Sequence, residues 1–333
     1  MLGSFALVGA SSTASAGDSG DSGADAQARW LAGLAPIPGV DPGAEWRAYA
    51  QAENERWQSS QARVKAMQDW TREIAPLMSP EPSVFYPFAG PDALHGLALF
   101  GGARRMTLVG LEPVGVLPDP TKPVPAGFFV RLGAALADVH RLTFFRTLEM
   151  SNDFQREGVL AALVATIARM GGAVSSVQTI ATPKSARIDW TTRAGQTRRL
   201  DYVQADLANA AVKGAAAPMI AMVHALAPYV TFVKAAMFLL AEPRFSALRQ
   251  MILDDSSILL QDDTGIPFRG FDERWATRLF GRYEAPGAPY AERVQPELRS
   301  AYEQRGATPL GFGIGYHVQP GRSNLLVASK GHR

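Results

Sequence analysis

The amino-acid sequence predicts an α/β fold: a three-layer sandwich with a mostly parallel sheet, antiparallel closing strands and an N-terminal helical extension. Two observations lead to this prediction. Through the middle of the chain, short apolar segments alternate with segments of helical periodicity, which is typical of parallel strands joined by helices. Near the end, residues 310–317 and 324–329 are two strand-like segments without a helix between them, which favours antiparallel pairing. With 47% apolar and 19% charged residues, the 333 residues can bury the core that such a fold needs.

The first 16 residues have features of a signal peptide. An apolar run covers residues 2–10, and Ala14-Ser15-Ala16 has the small-x-small form of a signal-peptidase site. A basic segment before the apolar run is missing, so either the natural start lies upstream or the segment is only an apolar end. Residues 17–29 begin with acidic and small residues and are predicted to be a flexible linker. We therefore expect a periplasmic or secreted protein, with a cytoplasmic location as the alternative.

Composition excludes several classes of site and partner. Cysteine is absent, which excludes thiolate zinc sites, cysteine nucleophiles and disulfides. Lys and Arg number 33 against 31 Asp and Glu, and adjacent basic residues occur only as short pairs, so no nucleic-acid partner is expected. Beyond the first residues, no apolar run approaches the ~20 residues of a membrane-spanning helix, and no membrane span is expected.

Residues 30–82 are predicted to form the N-terminal helical extension. A long helix is expected over Gly43–Ile74, because its large apolar residues recur mostly at helical spacings and predict one buried face. Pro76, Pro80 and Pro82 follow and are expected to end the helix before the first strand.

The main domain is predicted to span residues 83–330 and to begin with a strand, a turn and a helix. Val84–Phe88 is apolar and aromatic and predicts a buried strand, Ala93–Phe100 predicts a short helix, and Met106–Leu111 predicts the second strand. Further helices are predicted over 127–150, 154–170, 219–226, 245–260 and 290–305, and further strands over 174–182, 187–192, 198–204 and 275–283. Residues 229–240 are predicted to begin as a strand and to continue into a helix.

The turn after the first strand carries the most informative motif. Phe85–Gly90 reads FYPFAG and resembles the first motif of class I methyltransferases that use S-adenosylmethionine, in its aspartate-proline-phenylalanine-x-glycine form, with Tyr86 in place of the aspartate. In that family the glycine turn lets the backbone approach the cofactor, and an acidic residue after the next strand binds the ribose hydroxyls. Glu112 follows Gly90 by 22 residues, close to the roughly 20-residue interval of dinucleotide-binding folds. The resemblance therefore implies a Rossmann-like core.

A ligand-binding cleft is expected at the carboxyl ends of the first two strands, where open α/β sheets bind ligands. Its predicted lining residues are Ala89, Gly90, Pro91, Asp92 and Glu112. The sequence departs from the methyltransferase pattern at Asp92, where a small residue is expected and a carboxylate would repel a cofactor carboxylate. The family's Asn/Asp-Pro-Pro-Tyr/Phe catalytic motif has no match. The whole chain also resembles a group of uncharacterised exported bacterial proteins, a resemblance that implies no activity.

Two other groups of side chains are candidates for chemistry. Asp92 and His95 are three residues apart on the predicted helix and could form an acid/base pair in a cleft, or an ordinary pair on a helix surface. Asp262, Asp263 and Arg269 could form a secondary polar cluster at a sheet end, although aspartates in turns are also common capping residues. The spacing of the acidic residues does not match a calcium loop, no histidine pair has metal-ligand spacing, and no metal site is predicted.

These observations favour an exported soluble protein with a methyltransferase-like fold and a small-molecule cleft, either ligand-binding or a non-catalytic descendant. One alternative is an active S-adenosylmethionine-dependent methyltransferase, and another is a periplasmic hydrolase that uses Asp92, His95 or the Asp262-Asp263 turn. S-adenosylmethionine enters only with the first alternative. The sequence specifies no other cofactor and no oligomeric state.

Overall fold

The computed structural model of the chain describes residues 23–142 and 158–331. The predicted signal peptide, the first part of the predicted linker and the predicted helical residues 143–150 and 154–157 lie outside the described residues. No helix within the described ranges is both long enough and apolar enough to cross a membrane.

A nine-stranded mixed sheet forms the centre of the described molecule. Its strands lie side by side in the order β3-β4-β5-β2-β1-β6-β7-β9-β8. The five central strands, β5-β2-β1-β6-β7, are mutually parallel, whereas β3 and β4 at one edge and β9 and β8 at the other pair antiparallel. The strands are β1 Ser83–Tyr86, β2 Arg105–Gly110, β3 Ala173–Ile180, β4 Ser185–Thr191, β5 Thr197–Gln204, β6 Tyr229–Val233, β7 Ser256–Gln261, β8 Trp275–Gly281 and β9 Asn324–Lys330. The predicted α/β class, the mostly parallel core and an antiparallel end of the sheet are confirmed, although only one of the two predicted closing strands, β9, is present.

Helices cover both faces of the sheet. Side chains alternate along each strand, so that Val84 and Tyr86 of β1 enter one buried core and Phe85 enters the other. The first core contains the buried faces of α1 to α5, and the second contains those of α7 to α9. The helices are α1 Gly23–Leu31, α2 Gly43–Ile74, α3 Ala93–Leu99, α4 Phe128–Leu142, α5 Leu160–Arg169, α6 Asn209–Val212, α7 Ala217–His224, α8 Ser246–Asp255 and α9 Pro296–Arg305.

The N-terminal extension is part of the first core. The long helix α2 has the predicted bounds, and its buried face includes Trp46, Met67 and Trp70. Helix α1 corrects the prediction of a linker, because residues 23–29 are helical and not an extended connection. Its buried residues include Trp30 and Leu31, and this packing on α5 and β3 explains why a segment with a linker-like composition is ordered.

Two other predicted elements are wrong. The single helix predicted over 245–260 is instead α8 followed directly by β7. Strand β7 is buried on both faces, and a continuous apolar run of this kind cannot be distinguished from a buried helix by periodicity. The predicted strand over 310–317 is a loop that holds only a single bridge between Ile314 and His317. Gly315 lies in the left-handed region of backbone conformation there, with φ +65°, so the segment turns instead of extending.

Two further segments differ from their predicted form. Helix α9 begins at Pro296, so the helix predicted from residue 290 is shorter than expected. After β6 the chain does not continue as a helix but forms an irregular loop that ends in a short 3-10 turn, Leu239–Ala241. This loop proves to be part of the candidate site.

Candidate functional site

The candidate site is a cavity of about 430 Å³ at the carboxyl ends of β1, β2, β5 and β6. The strand order reverses between β1 and β6. After β1 the chain adds β2 and then β5 on one side of β1, and only later adds β6 and β7 on the other side. Open parallel sheets leave a crevice at such a point, since the connections diverge to opposite faces. Its lining residues are Tyr86, Phe88, Ala89, Gly90, Asp92, Val109, Gly110, Leu111, Glu112, Ala205, Asp206, Leu207, Lys234, Ala235, Ala236, Met237, Leu239, Phe245, Pro289, Tyr290 and Tyr316.

The turn after β1 forms one wall of the cavity. Both Phe88 (φ +59°) and Gly90 (φ +52°) have left-handed backbone conformations, and the Ala89 N–H donates to the Val109 carbonyl at 2.8 Å. A phenylalanine in this region is strained, and such residues concentrate at functional sites. Of the five predicted cleft residues, four line the cavity, and Pro91 is buried within the same turn.

Glu112 lies directly against this turn. A Cβ built on Gly90 would be 3.3 Å from Glu112 Oε2, and one built on Gly110 would be only 2.5 Å from the same atom. The Tyr202 hydroxyl donates to the Glu112 carbonyl at 2.8 Å and lies 3.4 Å from Oε2. Burial raises the pKa of the Glu112 carboxyl, and hydrogen bonds from the Glu112 and Leu111 backbone and from the Tyr202 hydroxyl oppose the rise. The structure thus brings Gly90 and Glu112 together, with the carboxyl group as a hydrogen-bond acceptor in the cavity wall.

A buried polar network forms the floor of the cavity. Asp92 Oδ2 accepts a hydrogen bond from the Tyr86 hydroxyl at 2.8 Å and pairs with Lys234 Nζ at 2.6 Å, while Asp92 Oδ1 lies 2.8 Å from His95 Nδ1. All four side chains are almost completely buried. Burial alone would raise the pKa of Asp92, but the neighbouring His95 and Lys234 hold it well below its usual range. Asp92 is therefore a buried anion neutralised by a buried cation.

His95 lies behind the floor and not on the cavity surface. Its side chain is completely buried, which excludes the surface helix pair that the sequence allowed. Burial lowers the pKa of His95 to about 4, and the charge of Lys234 adds to this effect while Asp92 opposes it. The imidazole is therefore neutral near pH 7 and supports Asp92, which also caps α3 by accepting from the His95 backbone N–H at 3.3 Å.

Lys234 is the main functional residue that sequence reasoning missed. It follows β6 directly. A lysine that immediately follows the apolar strand YVTFV is the sequence feature that could have indicated a buried charge at the end of this strand. The loop that begins there contains three left-handed residues that are not glycine, namely Ala235, Met237 and Phe238. Residues in this conformation persist only where the surrounding structure holds them.

The predicted Asp262-Asp263 cluster holds this loop in place. Asp262 Oδ2 accepts from the Ala235 N–H at 2.8 Å, and the Thr264 hydroxyl accepts from the Ala236 N–H at 2.7 Å. A Cβ built on Gly315 would be 2.1 Å from Asp262 Oδ2, so only glycine fits beside this carboxylate. Asp262 is thus a buried structural acceptor beneath the cavity loop.

The other two members of the predicted cluster do not join Asp262 in a site. Asp263 is buried and accepts from the Asn324 side-chain amide at 3.1 Å, and burial together with the charge of Asp262 raises the pKa of Asp263 to about 7. Arg269 is exposed on a separate turn. Across residues 23–142 and 158–331, no group of three or more His, Asp or Glu side chains is placed to hold a metal ion.

Apolar and aromatic groups make up most of the remaining wall. Phe88 packs edge-on against Phe245 with ring centroids 5.6 Å apart, and Tyr290 stacks on Tyr316 at 5.9 Å. The Tyr316 hydroxyl donates to the Ala235 carbonyl at 3.2 Å, which ties this aromatic pair to the loop after β6. These rings offer flat surfaces on which a planar ligand group can stack.

The charges of the lining residues set limits on the ligand. Three carboxylates line the cavity, Asp92, Glu112 and Asp206, whereas Lys234 is the only cationic side chain among its described lining residues and is paired with Asp92. Asp206, which was not predicted from the sequence, is exposed after β5 and accepts from the Ala208 N–H at 2.9 Å in the turn before α6. A polyphosphate would meet net negative charge here, whereas hydroxyl donors and cationic groups would meet acceptors.

The sequence matches no family model, and a comparison with curated proteins finds no match.

Proposed function

We propose that this chain is an exported protein with a Rossmann-like, methyltransferase-like fold that binds a nucleoside-type small molecule in the cavity. The strand order supports the fold assignment. Numbered along the chain, the five central parallel strands lie in the order 3-2-1-4-5, as in the first five strands of dinucleotide-binding sheets. The cavity lies where such sheets bind their ligands.

One observation carries the proposal: the Glu112 carboxyl group lies against the Gly90 turn inside the cavity. A carboxylate at this place can accept hydrogen bonds from two adjacent hydroxyl groups, as a ribose presents them. The backbone of the glycine turn allows the ligand to approach closely, since no side chain projects from Gly90. The aromatic rings of the wall provide surfaces on which a planar base can stack.

The charge balance narrows the ligand class. With Asp92 neutralised by Lys234, two carboxylates remain in the lining without a cationic partner within 4 Å among the described residues, Glu112 and Asp206. A neutral nucleoside, or one that carries a positive charge, therefore suits the cavity better than a nucleoside di- or triphosphate does. The pairing with Lys234 also weakens the repulsion that Asp92 would otherwise exert on a ligand carboxylate.

A second candidate function is methyl transfer from S-adenosylmethionine. The specific observation in its favour is this charge balance, because the cofactor is a nucleoside with a cationic sulfonium group and suits a cavity with excess carboxylates. The hydrolase alternative receives no such support. His95 is fully buried and does not line the cavity, so only Asp92 of the Asp92–His95 pair borders it, and that carboxylate is paired with Lys234.

A thermal-shift screen tests the proposed ligand class. Adenosine and S-adenosylmethionine should each raise the unfolding temperature, because a ligand at about 100 times its dissociation constant adds roughly 2.7 kcal/mol to the stability of the folded state. ATP and NAD serve as matched controls with the same base and ribose but added phosphates, and they should give smaller shifts. The absence of a shift with both adenosine and S-adenosylmethionine at millimolar concentration would contradict the nucleoside proposal. A larger shift with ATP than with adenosine would contradict the charge argument.

The proposed export is tested separately. A fusion of the full chain to a reporter that is active only outside the cytoplasm should show reporter activity. Deletion of residues 1–16 should abolish that activity while leaving the amount of fusion protein unchanged. Equal activity with and without these residues would contradict an export role for the segment.

A further inference from the structure

A second cavity, separate from the proposed nucleoside site, lies where the N-terminal extension packs on the edge of the sheet. It has a volume of about 380 Å³ and is bordered by α1, by the end of α5 and by the turn between β4 and β5. Three arginines line it, Arg29, Arg169 and Arg193, against a single carboxylate, Asp25. The two cavities have no lining residue in common.

Arg169 is held rigidly in the wall of this cavity. Its Nε donates to the Ala32 carbonyl at 2.6 Å and its Nη1 donates to Asn54 Oδ1 at 2.6 Å. The residue is only 9% exposed, and its buried Nη2 has no hydrogen-bond partner within the described part of the chain. A buried guanidinium nitrogen without an acceptor is costly, and such groups are normally satisfied by a protein atom, a water or an ion.

The arginines are not needed to complete the end of α5. The carbonyls of Thr166, Ile167 and Ala168 already accept backbone N–H groups from the residues that follow the helix, at 2.9 to 3.0 Å. Within 4 Å of the Arg29, Arg169 and Arg193 guanidinium groups, the described residues contain no carboxylate. The cavity therefore concentrates positive charge, which is only partly offset by Asp25 in its lining and by the charge of Glu53 acting on Arg169.

We propose that this cavity binds a phosphate monoester, with the arginine guanidinium groups contacting the phosphate. Three guanidinium groups and one carboxylate leave an excess of two positive charges, which suits the charge of about −1.5 to −2 that a phosphate monoester carries at pH 7. Guanidinium groups bind phosphate oxygens through paired N–H donors. The organic group has room beside the phosphate, since the volume is many times the ~30 Å³ of a water molecule. Leu34 and Trp57 supply an apolar wall for it.

Calorimetric titration with inorganic phosphate and phenyl phosphate, at low ionic strength, tests this proposal. Both should bind, and phenyl phosphate should bind more tightly because its ring can contact Trp57 and Leu34, whereas phenol should not bind. Arg193→Gln and Arg29→Gln each remove an exposed guanidinium and should weaken phenyl phosphate binding at least tenfold, as expected for the loss of a charge-assisted contact.

Arg282→Gln is the matched control for these variants. Arg282 is also exposed, but it follows β8 at the opposite edge of the sheet, so this change should leave phenyl phosphate binding unchanged. Unfolding temperatures within a few degrees of the wild-type value would show that all three variants fold. The proposal is overturned if neither probe binds, if phenyl phosphate binds no better than inorganic phosphate, or if Arg282→Gln weakens binding as much as Arg193→Gln does.

Discussion

The Asp92–Lys234 pair beneath the cavity gives the sharpest prediction for stability. Their charged atoms are 2.6 Å apart, and the side chains are 2% and 1% exposed. Replacing Lys234 by Met would leave the carboxylate buried without a cationic partner. Its remaining hydrogen-bond partners would be the Tyr86 hydroxyl and the His95 ring, both at 2.8 Å, and the His95 backbone N–H at 3.3 Å. The direct attraction lost amounts to about 6 kcal/mol at an effective dielectric constant of 20. Part of this loss is offset, because methionine does not have to be desolvated as a charged group.

We therefore expect Lys234→Met to lower the free energy of unfolding by about 3–5 kcal/mol at pH 7.5, the usual cost of breaking a buried pair. The deficit should shrink as the pH falls toward 5, because the abandoned Asp92 then gains a proton and becomes neutral. Urea denaturation followed by circular dichroism measures both values.

The double variant Asp92→Asn/Lys234→Met provides the control. Asparagine also caps helices well, so the start of α3 should be preserved while both charges are removed. We expect the double variant to be more stable than Lys234→Met alone. A double-mutant cycle should therefore give a favourable coupling energy between Asp92 and Lys234 of more than about 1 kcal/mol. Equal destabilisation in the single and double variants, or a loss below about 1 kcal/mol for Lys234→Met, would refute the assignment of a buried ion pair.

Three further predictions concern groups around the site. Asp263→Asn should stabilise the protein at pH 8 by up to about 4 kcal/mol and by progressively less toward pH 5. The pKa of Asp263 is raised from 3.8 to about 7 in the folded state, so its carboxyl group destabilises the wild-type fold by about 1.36 kcal/mol per pH unit as the pH rises through that window. A stability difference in urea denaturation that stays constant from about pH 5 to pH 8 would contradict this prediction. Burial lowers the pKa of His95 from 6.5 to about 4, so the stability that this residue contributes is present above pH 6.5 and is lost as the pH falls toward 4. His95→Gln should reduce the decrease in unfolding free energy between pH 6.5 and pH 4 by up to about 3 kcal/mol. An unchanged pH profile would show that burial does not lower the pKa of His95. Gly315→Ala should lower the unfolding temperature by several degrees, since its Cβ would lie 2.1 Å from Asp262 Oδ2 at φ +65°. Gly321→Ala is the control, because Gly321 has a similar φ of +78° but no atom within 4 Å, and it should lower the unfolding temperature much less. Similar decreases in the two variants would show that backbone strain alone is responsible.

Local patterns in the sequence predict a large part of this fold. The bounds of α2 follow from its helical spacing and flanking prolines, and the turn at Gly90 follows from an aromatic strand and a glycine. The proximity of Gly90 and Glu112 follows from general geometry, because the ends of adjacent parallel strands meet at one edge of the sheet. Such features depend on short-range preferences and on topology, both of which the sequence carries directly.

The remaining features depend on contacts between distant segments. Lys234 and Asp92 are 142 residues apart, and nothing local to either residue indicates that they pair. The left-handed conformation of Ala235 is imposed by Asp262 and not by a local preference, since alanine rarely adopts it. Strand β7 reads as a helix because residues buried on both faces lose the period-two pattern.

The central claim is that Glu112 accepts hydrogen bonds from the ribose hydroxyls of a nucleoside, and one calorimetric comparison tests it directly. Adenosine and 2′,3′-dideoxyadenosine differ only in those hydroxyls, and the wild-type protein should bind adenosine at least tenfold more tightly. In Glu112→Gln this preference should largely disappear, whereas Glu303→Gln, an exposed change away from the cavity, should retain it. Equal affinity of the wild-type protein for the two nucleosides, or an undiminished preference in Glu112→Gln, would contradict the assignment.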